Sequence, residues 1–215
     1  MLVPLLDGGF EILVDPSVVM GPSPEIVGPV VEEHRFRFRV AHEIGHSFFY
    51  DRKYKPAKRL LEPSKQEEAF CDHFASALLV PPRAVLGMPA LAKTVLTIRQ
   101  KYGVSAEVAG RALARAHPKI AVIGLLWRQN PRDGVGGTRV VWSGGPYFVP
   151  VGARLFSTVI EEARVKGKGN GLEQLKVGGL KGWFSVDAVR PVSGTQVVAV
   201  VKPAGQPEII NPESG

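Results

Sequence analysis

Residues 35–50 read RFRFRVAHEIGHSFFY, and within them His42-Glu43-Ile44-Gly45-His46 forms an HExxH pattern. On a helix, residues four apart are offset by only about 40°, so His42 and His46 project together and can share one metal ion. Glu43 lies about 60° from His46 on the same side, close enough to reach a water at such an ion. Just upstream, Arg35 to Val40 alternates charged and apolar residues. This period of two predicts a strand with Phe36 and Phe38 on one face, and a helix beginning near Val40. A strand there would either let an extended substrate add to its edge or simply pack as an edge strand.

A catalytic zinc takes three protein ligands and keeps one position open. Ser64-Lys65-Gln66-Glu67 is a capping box, which predicts a helix running through Leu79 to the stop at Pro81-Pro82. Glu68 and Asp72 are four apart on that helix and share a face. One carboxylate can bind the ion while the other accepts the N–H of a ligating histidine. Glu68 is the leading third ligand and Asp72 its orienting partner. His73, about 140° around from Glu68, is the runner-up, ahead of His34 and His117. Glu67 is expected to be taken up as the capping residue.

The rest of the chain sets bounds on the reading. Its 215 residues, 45% hydrophobic and 22% charged, are typical of globular protein and argue against a largely disordered chain. Apolar runs fall short of the roughly 20 residues of a membrane span. The N-terminal stretch lacks a basic region and is interrupted by Asp7, so no signal peptide is expected. A single cysteine, Cys71, excludes an internal disulfide framework and fits a reducing compartment, which points to the cytoplasm.

Net charge is 27 − 20 = +7 and it is uneven. Residues 51–66 carry six Lys/Arg against Asp51 and Glu62, and residues 91–120 carry six against Glu107 alone. Such segments suit an acidic partner or nucleic acid, or form a solvated face. The stretch 51–62 reads as a surface loop. Helices are expected at about 90–102 and from Ser105 to about His117, joined at Gly103 in the outline of a helix-turn-helix or an ordinary helical hairpin. After Pro118, strands are expected at Lys119 to Trp127, Thr138 to Trp142, Trp183 to Val189 and Gln196 to Lys202, with a helix at 153–165. KGKGNG (166–171) reads as a mobile loop and 203–215 as a weakly ordered tail. The fold class is α+β, with a domain boundary near residue 118.

Residues 37–46, followed by Glu68-Ala-Phe-Cys-Asp-His-Phe-Ala-Ser-Ala-Leu-Leu-Val-Pro81, resemble the ImmA/IrrE family of metallopeptidases. The matching positions are His42, Glu43, Gly45, His46, Glu68, Asp72, Phe74-Ala75, Leu78-Leu79 and Pro81. The resemblance implies a zincin-like metallopeptidase domain at 1–89, a helix-turn-helix-like segment at 90–118, and a mixed β/α domain at 119–215 that is GAF-like and sensory. It implies a gluzincin-like zinc endopeptidase, with manganese as the alternative metal. His42, His46 and Glu68 would be the ligands and Glu43 the general base. Tyr50, His73 and His117 are the candidates for a second oxyanion donor. The implied substrate is a helix-turn-helix repressor whose cleavage induces stress genes. Two competing readings are a DNA-binding regulator that uses 91–117 around a structural metal, and a protein that binds a repressor or sensor ligand without cutting.

Overall fold

The HExxH stretch lies on one long helix, α1 (Pro29–His46), which replaces the strand and later helix start expected at 35–40. The alternating residues are accommodated differently from a strand. Phe38 is half-buried with its ring 6.4 Å from that of His42, one turn on. Arg37 donates through Nη1 to the carbonyls of Tyr102 and Gly103, each at 3.0 Å. Phe36 is exposed. Extending an existing helix gains one hydrogen bond per residue fixed, whereas a five-residue strand needs a partner. With 35–39 helical, the proposed edge for substrate addition is lost.

The computed structural model describes residues 1–14, 29–129, 136–146, 149–177, 179–191, 195–206 and 208–209. These form two units. The first comprises Met1–Pro81 with Tyr102–Ser105. In it, β1 (Leu2–Pro4) and β2 (Phe10–Ile12) form an antiparallel hairpin. A single 3₁₀ turn, Ser47–Phe49, follows α1. The basic stretch expected as a loop contains a second short hairpin, β3 (Tyr50–Asp51) and β4 (Lys58–Arg59), with Tyr50 opposite Arg59. Helix α2 (Lys65–Leu79) starts as its capping box predicts, with the Glu67 N–H donating to Ser64 Oγ at 3.1 Å. It stops where the Val80 N–H returns to the Ser76 carbonyl, just before the two prolines.

Helices α1 and α2 approach closely at Gly45. A Cβ built there would lie 3.1 Å from Cys71 Cα and 3.2 Å from Cys71 Sγ, and Cys71 is fully buried. Glycine at this position therefore sets the helix–helix distance.

The second unit comprises Pro82–Lys101 with Ala106–Gly215. It holds α3 (Pro82–Val85), α4 (Ala92–Tyr102, whose last residue counts with the first unit) and α5 (Ala106–Ala116). Then come β5 (Ala121–Gln129), β6 (Gly136–Gly144), α6 (Thr158–Lys166), β7 (Lys168–Val177), β8 (Leu180–Val189), β9 (Gln196–Pro203) and β10 (Glu208–Ile209). One antiparallel sheet runs β6-β5-β9-β8, with β7 and β10 both paired to β8. Ala121, Ile123 and Leu125 of β5 share a core with Val159, Ile160 and Ala163 of α6. The alternate residue Val122 and Trp142 face Gly110 of α5. Helices thus cover both faces of the sheet. In the segment expected as a helix-turn-helix, α5 buries Val108, Ala109, Ala112 and Leu113 and leaves Arg111 and Arg115 exposed.

Two further expectations need correction. The helix foreseen at 153–165 begins at Thr158, because Ser157 caps it by accepting the Ile160 N–H at 3.1 Å. KGKGNG is not a mobile loop but mostly the start of β7. Gly167 ends α6 in the left-handed region at φ 88°, and the other two glycines allow close approach: a Cβ at Gly169 would fall 2.2 Å from the Val159 carbonyl oxygen of α6. Of the expected tail, Glu208–Ile209 pairs with Leu180 and Lys181, and 210–215 lie outside the described residues.

Replacing Gly45 by valine should push α1 off α2. Overpacking of this kind costs about 1–3 kcal/mol, and urea unfolding of the full chain should show that loss.

Candidate metal centre

His42 and His46 leave α1 one turn apart, with ring centroids 4.9 Å apart. The carboxylate of Glu68 lies before both. Its Oε2 is 3.3 Å from His42 Nε2 and its Oε1 is 3.6 Å from His46 Nε2. Ligands bound to one tetrahedral ion at about 2.0–2.1 Å sit about 3.3 Å from each other. Each imidazole Nε2 therefore stands at about the distance of a co-ligand from the Glu68 carboxylate. This mixed nitrogen and oxygen set suits zinc, and it suits manganese less, since the latter favours oxygen ligands.

The opposite nitrogen of each ring is also engaged. His42 Nδ1 lies 2.9 Å from Asp72 Oδ1, as the ExxxD spacing implied. His46 Nδ1 lies 2.6 Å from Glu67 Oε1, a contact that sequence reasoning missed. The assignment of Glu67 to the capping box was half right. Its N–H caps against Ser64, but its side chain turns inward, is 2% exposed, and also accepts from Arg59 Nη2 at 2.6 Å to each oxygen. A carboxylate this buried needs such partners, and the capping position on the helix happens to face α1. In each pair the carboxylate accepts the Nδ1–H, leaving the Nε2 lone pair free for a metal.

Arg59 is held in turn. Nε donates to the Leu61 carbonyl at 2.8 Å and Nη1 to the Tyr50 hydroxyl at 3.3 Å. Burial lowers its pKa, but the hydrogen bonds to Tyr50 and Glu67 outweigh that and raise it overall. Glu43 is half-buried, and its Oε1 lies 3.1 Å from the Met1 amine brought in beside β1.

The remaining candidates are not gathered here. His73 is exposed and its Nδ1 lies 2.8 Å from the Ala69 carbonyl, within its own helix. Tyr50 packs its ring edge-on to Phe10, with centroids 5.4 Å apart, and receives Arg59. His117 belongs to the second unit, where Nε2 lies 2.8 Å from the Met88 carbonyl.

Cys71 is the neighbour that spacing did not single out. One ligand atom from each of His42, His46 and Cys71 lies within 4.8 Å of the others, so the thiol stands close enough to the two imidazoles to share an ion with them. Its thiol is pushed up to about 12, first by burial and then by the charges of Glu67, Glu68, Asp72 and Glu43.

A family model described as the IrrE N-terminal-like domain, a peptidase family, matches residues 29–114. That span begins with α1 and contains His42, Glu43, His46, Glu67, Glu68 and Asp72. No curated protein matches the chain.

Because thiolate is the reactive form, a buried thiol held near pH 12 should resist alkylation. Iodoacetamide at pH 8 should label Cys71 at least about 100-fold more slowly in the native protein than in urea, as read by mass spectrometry.

Proposed function

From the match of residues 29–114 to the IrrE N-terminal-like peptidase family, we propose that this protein is a zinc-dependent endopeptidase. Its substrate is a helix-turn-helix transcriptional repressor, and cleavage induces stress-response genes. The observation that carries the chemistry is the convergence of His42 Nε2 and His46 Nε2 on the Glu68 carboxylate. The repressor as substrate rests on the resemblance of residues 37–46 and 68–81 to the ImmA/IrrE family.

His42, His46 and Glu68 would hold the ion. When bound, zinc polarises the scissile carbonyl and lowers the pKa of the attacking water to about 7. Glu43, next to His42 on α1, takes the proton of that water and returns it to the leaving amine nitrogen. Asp72 and Glu67 each hold an imidazole by its Nδ1–H, so that neither ring must reorient when the ion enters. His73 has no part in this arrangement, because its ring is turned to its own helix.

The second unit serves as the sensory region. A cavity of about 780 Å³, lined in part by Trp127, Arg154, Phe156, Glu161 and Glu173, gives a small ligand room. Among the described residues no helix is long and apolar enough to cross a membrane. With Cys71 as the one cysteine, this agrees with work in the cytoplasm.

The test is to incubate the purified protein with the helix-turn-helix repressor encoded beside it, with and without chelator. Cleavage should occur and should stop when the metal is removed. Glu43→Gln should keep about one zinc per chain and lose cleavage, because an amide cannot take the proton. Glu68→Ala should lose most zinc affinity, whereas His73→Ala should keep it. Tight zinc binding by Glu68→Ala would remove Glu68 from the ligand set.

A further inference from the structure

The two imidazoles are not held in equivalent ways. Asp72, behind His42, is about half exposed and its carboxylate can be oriented by water. Glu67, behind His46, has a side chain only 2% exposed, so its orientation is set by protein groups alone. Among the contacts described for it, the cation is Arg59, whose Nη2 lies 2.6 Å from both carboxylate oxygens. The guanidinium is itself fixed from other directions. Nε is tied to the Leu61 carbonyl, Nη1 to the Tyr50 hydroxyl, and the group lies 5.5 Å from the centroid of the Tyr50 ring. The pairing of β3 with β4 puts Tyr50 opposite Arg59 and makes this arrangement part of the hairpin.

We infer that Arg59 is a positioning residue of the metal centre, acting through Glu67. It anchors the buried carboxylate so that Oε1 accepts the Nδ1–H of His46, which fixes the ring with Nε2 towards Glu68. The inference rests on the metallopeptidase reading above and assigns the β3–β4 hairpin a task within it. The hydrogen bonds described for Arg59 go to Glu67, Tyr50 and Leu61, so its influence on His46 passes through Glu67. A planar guanidinium suits this place because it can meet the carboxylate, the phenol and a carbonyl at once, which a lysine ammonium cannot do in the same plane.

A salt bridge that merely stabilised the fold would show the same contacts, so the test must separate the two. Zinc is titrated calorimetrically into the full-length wild type, Arg59→Met, Arg59→Lys, Glu67→Gln and the double variant Arg59→Met/Glu67→Gln. Loss of an orienting partner lowers metal affinity by about 10- to 100-fold, and that range is expected for Arg59→Met. Arg59→Lys should fall between it and wild type. Adding Arg59→Met to Glu67→Gln should cost nothing further, since Arg59 acts only through that carboxylate. The visible spectrum of the cobalt-loaded protein should change in Arg59→Met, as a reoriented His46 alters the ligand field.

If Arg59→Met does not fold, the comparison of Glu67→Gln with the double variant still decides, because neither of them leaves the buried carboxylate without its cation. Unchanged zinc affinity and cobalt spectrum in folded Arg59→Met overturn the inference. So does a further loss when Arg59→Met is added to Glu67→Gln. Failure of the wild type itself to bind zinc would overturn the metal reading instead, and this inference with it.

Discussion

The contact between Gly45 and Cys71 is the constraint on which the site depends. With no side chain at 45, α1 comes so near α2 that a single added carbon would press on Cys71 Cα, Cβ and Sγ together. At that separation, two histidines one turn apart on α1 meet residues 67, 68 and 72 of α2. A helix pair held further apart would leave the imidazoles short of their carboxylates. The hydrogen bonds of 2.9 Å and 2.6 Å behind the rings are therefore products of backbone packing as much as of side-chain chemistry. Glycine costs helix stability, roughly 1 kcal/mol relative to alanine, and here the close packing of α2 offsets that cost.

The carboxylates around the two rings differ in how they tolerate their charge. Glu68 and Asp72 have side chains about half exposed and are solvated. Glu67 is buried, and Arg59 neutralises it in place. The same negative charges, together with burial, hold the Cys71 thiol in its neutral form. Glu43, Glu67, Glu68 and Asp72 thus concentrate negative charge beside two imidazoles, with Arg59 set against the most buried of them. Such a surplus favours a divalent cation between the rings.

Much of this was legible in the chain. Ser64 followed by Glu67 fixed the start of α2, and Pro81-Pro82 its end, because capping and the missing proline N–H are local effects. The offset of residues four apart placed His42 with His46 and Glu68 with Asp72 for the same reason. What failed depended on partners distant in sequence. Alternation at 35–39 fits a strand until Arg37 is seen to serve the carbonyls of Tyr102 and Gly103. KGKGNG looked mobile because Gly169 and Gly171 answer to a helix packed across them and Gly167 to the end of that helix. Glu67 was assigned to its own helix end, since nothing in a linear reading shows that Arg59 will reach it from a hairpin. One signal was available: an arginine among lysines in a basic stretch, eight residues before a glutamate on the inward face of the next helix.

The nearness of Cys71 bears on what kind of metal centre this is. A zinc ion bound by His42, His46, Glu68 and Cys71 together would have four protein ligands, which is the closed arrangement of structural sites. A three-ligand set leaves the position that a hydrolytic reaction needs. The packing bears on the choice. On α2, Cys71 points into the contact with Gly45, while Glu68 and Asp72 stand on the open flank. The oxygens of Glu68 already lie 3.3 and 3.6 Å from the two Nε2 atoms. In the proposed set of His42, His46 and Glu68, Cys71 keeps its place in the helix contact and a fourth position is left for water.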